Sequence, residues 1–109
     1  MRILLDQNIP APLRQILPGH QVETAYERAW AELLNGELIT QAESAGFNLL
    51  ITSDQGIPYQ QNWEGRSLAL LVLSTNDWNR IRRFKDGVLA AVNAIQQAQC
   101  VNLDVPRAE

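Results

Sequence analysis

Phe47-Asn48-Leu49-Leu50-Ile51-Thr52-Ser53-Asp54 is the stretch whose reading decides the fold. Its Leu49-Leu50-Ile51 centre is apolar without alternation, as expected of a strand covered on both faces in a parallel sheet, and it ends on an acid. The same pattern stands near the start of the chain, where Arg2-Ile3-Leu4-Leu5 runs into Asp6. A third apolar run, Leu68 to Leu73, closes on Ser74-Thr75-Asn76. His20 to Ala25 alternates polar and apolar residues and reads as a more exposed, edge-side strand, and Val101 to Val105 as a short final one.

Between these strands the signals are helical. Pro10 and Pro12 suit a first helical turn, Leu13, Ile16 and Leu17 form an apolar stripe, and Pro18-Gly19 ends it. Glu27 to Leu34 is expected as a short helix turning Trp30, Leu33 and Leu34 inward. Asn35-Gly36 breaks the chain, and Leu38, Ile39, Ala42 and Ala45 recur at helical spacing up to Gly46, which stands where a C-terminal cap belongs. Gln55 to Gly65 reads as a loop. A long helix is expected from Asp77 to about Ala98, with Ile81, Phe84, Val88, Leu89, Val92 and Ile95 inward. This order predicts an α/β fold: a three-layer α/β/α sandwich on a mostly parallel sheet of 4–5 strands, as a single domain over residues 1–105 with a loose tail at 106–109.

The 109 residues leave room for one core, and 46% hydrophobic against 19% charged residues argues against intrinsic disorder. The single cysteine, Cys100, cannot form an internal disulfide, so a reducing, cytoplasmic setting is expected. No apolar run approaches the length of a membrane span, and no membrane partner is expected. The net charge of −3 hides a local bias: Arg80, Arg82, Arg83 and Lys85 fall within six positions. Such a patch suits a phosphate backbone as well as a solvated helix face.

Ligands of open parallel sheets bind beyond the carboxyl ends of the strands, where the strand order reverses. If the strands ending in Asp6 and Asp54 are neighbours, their axes lie only ~4.8 Å apart and both carboxylates reach one cation. Glu37, in the first turn of its helix, is the third acid of the candidate pocket. Carboxylates so close repel one another, and a divalent cation removes the conflict. With one histidine, His20, and one cysteine, the donor set suits a hard cation such as Mg²⁺ rather than zinc.

Three segments together resemble the small PIN-like domains of the PIN-domain ribonuclease superfamily, many of which are toxins of bacterial toxin–antitoxin pairs. They are Leu4-Leu5-Asp6-Gln7-Asn8-Ile9-Pro10, Asn35-Gly36-Glu37-Leu38-Ile39 with Ala42 and Gly46, and Leu50-Ile51-Thr52-Ser53-Asp54. The resemblance spans roughly residues 1–100. It implies a Mg²⁺ or Mn²⁺ cofactor, hydrolysis of RNA phosphodiesters, RNA and a cognate antitoxin as partners, and a homodimer as one possible assembly. Asp6 matches the first-strand acid, Glu37 the helix-start acid and Asp54 the acid ending the third motif. Gln7 and Gln55 depart from the pattern, and the superfamily's further acid has only Glu23, Glu27 and Glu32 as candidates by order.

On that resemblance Asp6, Glu37 and Asp54 are the catalytic and metal-binding set, with Asn8 and Ser53 supporting them from behind. Arg80, Arg82, Arg83 and Lys85 would hold the RNA backbone, and Tyr59, Trp63 and Trp78 are candidates to stack on bases. Two alternatives stay open. One is a PIN-like binding module without turnover. The other is a phosphoryl receiver domain, which Asp6, Asp54 and Thr75 fit loosely.

Overall fold

The computed structural model describes residues 1–60, 63 and 65–107, with the side chains of Tyr59 and Gln60 outside that description. Five strands, β1 (Arg2–Leu5), β2 (Gln21–Thr24), β3 (Leu49–Thr52), β4 (Ala69–Leu73) and β5 (Cys100–Leu103), form one sheet in the order β2-β1-β3-β4-β5. Every pairing is parallel. Among them run a 3-10 helix (Ala11–Ile16) and the helices α1 (Asn35–Ser44), α2 (Ile57–Gln60), α3 (Trp78–Arg83) and α4 (Lys85–Ala94).

Each central strand is buried along its apolar length, as an unalternating run requires. Successive side chains point to opposite faces, so the run divides between two cores. Ile3, Leu5, Leu49, Ile51, Leu71 and Leu73 meet Leu13 of the 3-10 helix and Ile81, Val88 and Val92 of α3 and α4. Leu4, Leu50, Leu70 and Val72 meet Leu38, Ile39 and Ala42 of α1 and Ile57 of α2. The result is helix, sheet, helix. β1 lies between β2 and β3, which makes the β1–β3 crevice the point where strand order reverses. Among the described residues no helix is long and apolar enough to cross a membrane.

Several elements differ from expectation. Residues 11–16 wind as a 3-10 helix, with Leu13 N donating to Pro10 O at 3.0 Å. Prolines at 10 and 12 remove donors from a segment too short to recover an α-helical ladder. Glu27 to Leu34 forms turns instead of a helix, because Ala29 adopts φ 61° and Leu34 is 73% exposed. What holds this segment is side-chain chemistry. Arg28 grips Glu23 through Nε (2.8 Å) and Nη2 (2.9 Å) and lies 5.4 Å from the Trp30 ring centroid and 5.1 Å from that of Phe47. Trp30 and Phe47 pack edge to face at 6.2 Å. The segment after Asp54 includes one helical turn, α2.

The long helix expected over residues 77–98 is two helices. Asp77 caps the first, accepting from Asn79 N at 2.9 Å, and Phe84 ends it at φ −110°, ψ 24°. The Phe84 ring lies where a Cβ on residue 87 would stand, 2.3 Å from that position, so the break depends on Gly87. α4 ends at Ala94, where Ile95 turns extended. By contrast α1 stops as expected, with Gly46 at φ 84°. Of the expected tail, Pro106 is held by its carbonyl to Arg80, as is Val105 just before it, and residues 108 and 109 lie outside the described residues.

Candidate functional site

Asp6 leaves the end of β1 and Asp54 stands two residues past the end of β3, so both acids stand at the carboxyl ends of adjacent strands. Asp6 is 7% exposed. Its Oδ1 accepts from Gln7 N and its Oδ2 from the Thr52 hydroxyl, both at 2.8 Å. Thr52, fully buried at the last position of β3, is the hub of the site. While donating to Asp6, its Oγ1 accepts from Asp54 N at 3.1 Å and from Asn8 Nδ2 at 3.4 Å. One hydroxyl thereby ties the ends of β1 and β3 together.

Asn8 completes the link, its Oδ1 accepting from Ser53 N at 3.1 Å. Asp54 is held on both oxygens: Oδ1 accepts from Gly56 N at 2.9 Å and Oδ2 from Asn35 Nδ2 at 3.1 Å. Gln55 turns away and donates to the Leu73 carbonyl at 2.7 Å, bracing this turn against β4. Each carboxylate oxygen keeps a second lone pair beyond these bonds.

Glu37 is not part of this network. It is exposed on the first turn of α1, and its side chain makes no hydrogen bond or ion pair with the described residues. The residue of α1 that reaches the site is Asn35, two positions earlier. Among the described residues no three acidic, histidine or cysteine side chains gather into a group able to hold a metal ion. Asp6, Glu37 and Asp54 therefore do not converge as a triad. What the strand ends offer is two carboxylates with the Asn8 amide and the Thr52 hydroxyl beside them. This all-oxygen set still fits Mg²⁺ or Mn²⁺, since Mg²⁺ is commonly held by one or two carboxylates plus substrate phosphates and waters.

Of the other acids named by order, Glu23 is bound by Arg28 and Arg2, and Glu27 by Arg14 and Thr24 N. The hydrogen bond from Arg28 is the chief cause that holds the Glu23 carboxyl below its ordinary value, and the one from Arg14 does the same for Glu27. His20 is structural, its Nε2 paired with Asn93 Oδ1 at 2.8 Å.

The basic cluster divides. Arg80, Arg82 and Arg83 line one concavity of about 560 Å³ together with Arg107, on segments that follow the carboxyl ends of β4 and β5. Arg80 is committed to structure, donating to Val105 O at 2.6 Å, and Arg82 Nε donates to Asn79 Oδ1 at 3.2 Å. Arg83 and Arg107 have no such partner among the described residues. Lys85 lines a different depression, beside Asp86 and Pro18. Trp63 and Trp78 pack against the two cores, and the Tyr59 side chain lies outside the described residues.

A further concavity is lined by Asp6 itself. It is an open cleft of about 810 Å³ between the 3-10 helix and the turns after β2, with Asp6, Gln7, Ile9, Arg14, Tyr26 and Glu27 in its lining. Sequence reasoning missed four contributors: Thr52 as hub, Asn35, Arg107 and Tyr26. Only Thr52 carried a local signal, as a buried hydroxyl between an apolar run and an acid. No family model matches this chain, and no match to it stands among the curated proteins or the solved structures.

Proposed function

We propose that this chain is a divalent-cation-dependent ribonuclease, in keeping with its resemblance to the small PIN-like domains. The observation that carries the reading is the pair of aspartates closing the two central strands at the reversal of strand order, linked through the Thr52 hydroxyl. Asp6 and Asp54 would hold Mg²⁺ or Mn²⁺. Such an ion, when bound, polarises a scissile phosphate and lowers the pKa of a water ligand toward neutrality.

The chain's own residues do the positioning. Thr52 and Gln7 N fix the Asp6 carboxylate, and Asn35 and Gly56 N fix that of Asp54, so neither has to reorganise as charge develops. Arg83 and Arg107, with no competing bond among the described residues, would supply the positive charge for the RNA backbone, and this contact positions without reading sequence. Glu37 would reach such an ion only through water, since its exposed side chain makes no bond to this network among the described residues.

The test is cleavage of a labelled single-stranded RNA by purified protein with Mn²⁺. Cleavage should vanish in EDTA and fall at least about 100-fold in both Asp6→Asn and Asp54→Asn, the scale of losing a preorganised electrostatic group. Cleavage that persists in EDTA, or in both variants, would overturn the assignment. Saturable RNA binding without any cleavage would instead favour a binding module, a reading supported by the convergence of only two carboxylates.

A further inference from the structure

The cleft beside Asp6 has no part in the chemistry just described, yet Asp6 lines both. We propose that it is a nucleobase subsite, receiving an unstacked base of the nucleotide next to the scissile phosphate. The identity of the polymer rests on the ribonuclease reading; the chemistry of the cleft does not.

Charge decides what the cleft admits. Arg14 and Glu27 neutralise each other across it, which leaves Asp6 as the unbalanced charge. In the metal-free chain its lining therefore offers a phosphate no unpaired cation, since Arg14 is taken by Glu27, whereas the concavity with Arg83 and Arg107 attracts one. A neutral, flat heterocycle suits the rest of the lining. Ile9 and Pro12 provide apolar surface, and Tyr26 is 81% exposed, a ring outside both cores. An exposed aromatic ring is what a base stacks on. Gln7 and Gln15 present side-chain amides with no partner among the described residues, each able to donate to and accept from the edge of a base. The volume, about 810 Å³, lies within the range of small-ligand sites.

A base held here must be out of its duplex, so the subsite selects unpaired RNA. The test uses the uncharged nucleosides adenosine, guanosine, cytidine and uridine, titrated into the full chain in EDTA and followed by NMR. At least one should bind saturably and shift the resonances of Tyr26 and Gln15. Tyr26→Ala should weaken binding at least about fivefold, while Tyr26→Phe keeps it, since stacking needs the ring and not the hydroxyl. Gln15→Ala, on an exposed turn of the 3-10 helix, gives a second independent loss. No saturable binding of any nucleoside, binding indifferent to Tyr26→Ala, or occupation by a short apolar peptide instead would each overturn the proposal. Neither metal nor turnover enters the measurement. A chain that binds nucleosides but cuts no RNA fails only the ribonuclease reading, and one that cuts RNA but binds no nucleoside fails only this inference.

Discussion

Thr52 shows how much one buried hydroxyl can carry. It satisfies Asp6, which has almost no access to water, and it receives the backbone N–H that sets the direction of Asp54. Thr52→Val keeps the shape and removes the oxygen, leaving a buried carboxylate oxygen without its donor. The cost should be about 1–3 kcal/mol in urea denaturation. The same variant should weaken Mn²⁺ binding in calorimetric titration, because the two aspartates lose the group that holds them in register. A variant as stable as the wild type would show that Thr52 is not the hub.

At the level of elements, the junction of α3 and α4 depends on a glycine inside a helix, where alanine is normally favoured by about 0.8–1.0 kcal/mol. Here the preference should invert. A Cβ at position 87 would stand 2.3 Å from the Phe84 ring, which is partly buried against the core. Gly87→Ala should therefore destabilise the fold by about 1–3 kcal/mol, the usual cost of overpacking. Thermal unfolding decides it, and a raised Tm would mean that the ring moves aside freely. The hydrophobic periodicity from Ile81 to Ile95 is continuous, so nothing in the pattern of apolar residues announces the break. It arises because Phe84 turns its ring onto its own chain.

Over the whole molecule, charge is arranged in two ways. Glu43 ties α1 to the segment before β4, accepting from Ser67 N at 2.9 Å and from Arg66. Burial works against its charge, but the Ser67 and Leu68 amides and the Arg66 guanidinium outweigh it and hold the carboxyl below its ordinary value of 4.5. A carboxyl lowered on folding stabilises the folded state above the unfolded value and loses that contribution as pH falls through the folded value. Glu43→Gln should thus cost about 1–3 kcal/mol at pH 7, with the gap to the wild type closing below pH 4.5. Denaturation curves across pH 3–7 check both limbs. The arginine concavity acts at longer range. Replacing Arg83 and Arg107 together should lower the salt slope of RNA binding by roughly 1–1.4, at ~0.7 per phosphate contact on single strands. Lys85→Ala, in a separate depression, should leave the slope unchanged.

What the sequence determined by itself is what local pattern can carry. Two unalternating apolar runs, each followed by an aspartate, specify buried parallel strands with acids at their carboxyl ends. The alternation of residues 20–25 specifies an edge strand, and Gly46 the end of α1. These follow from side-chain period and backbone freedom, which neighbours in the chain decide. Tertiary structure alone decided that β1 and β3 are neighbours, that Thr52 bonds Asp6 across 46 positions, and that Asn35 reaches Asp54 while Glu37 faces water. It also decided that Arg107 joins Arg83 while Lys85 does not. The physical reason is the same in each case: a hydrogen bond or a shared concavity depends on side-chain direction to within a few ångströms. That direction is set by packing against elements far away in the chain.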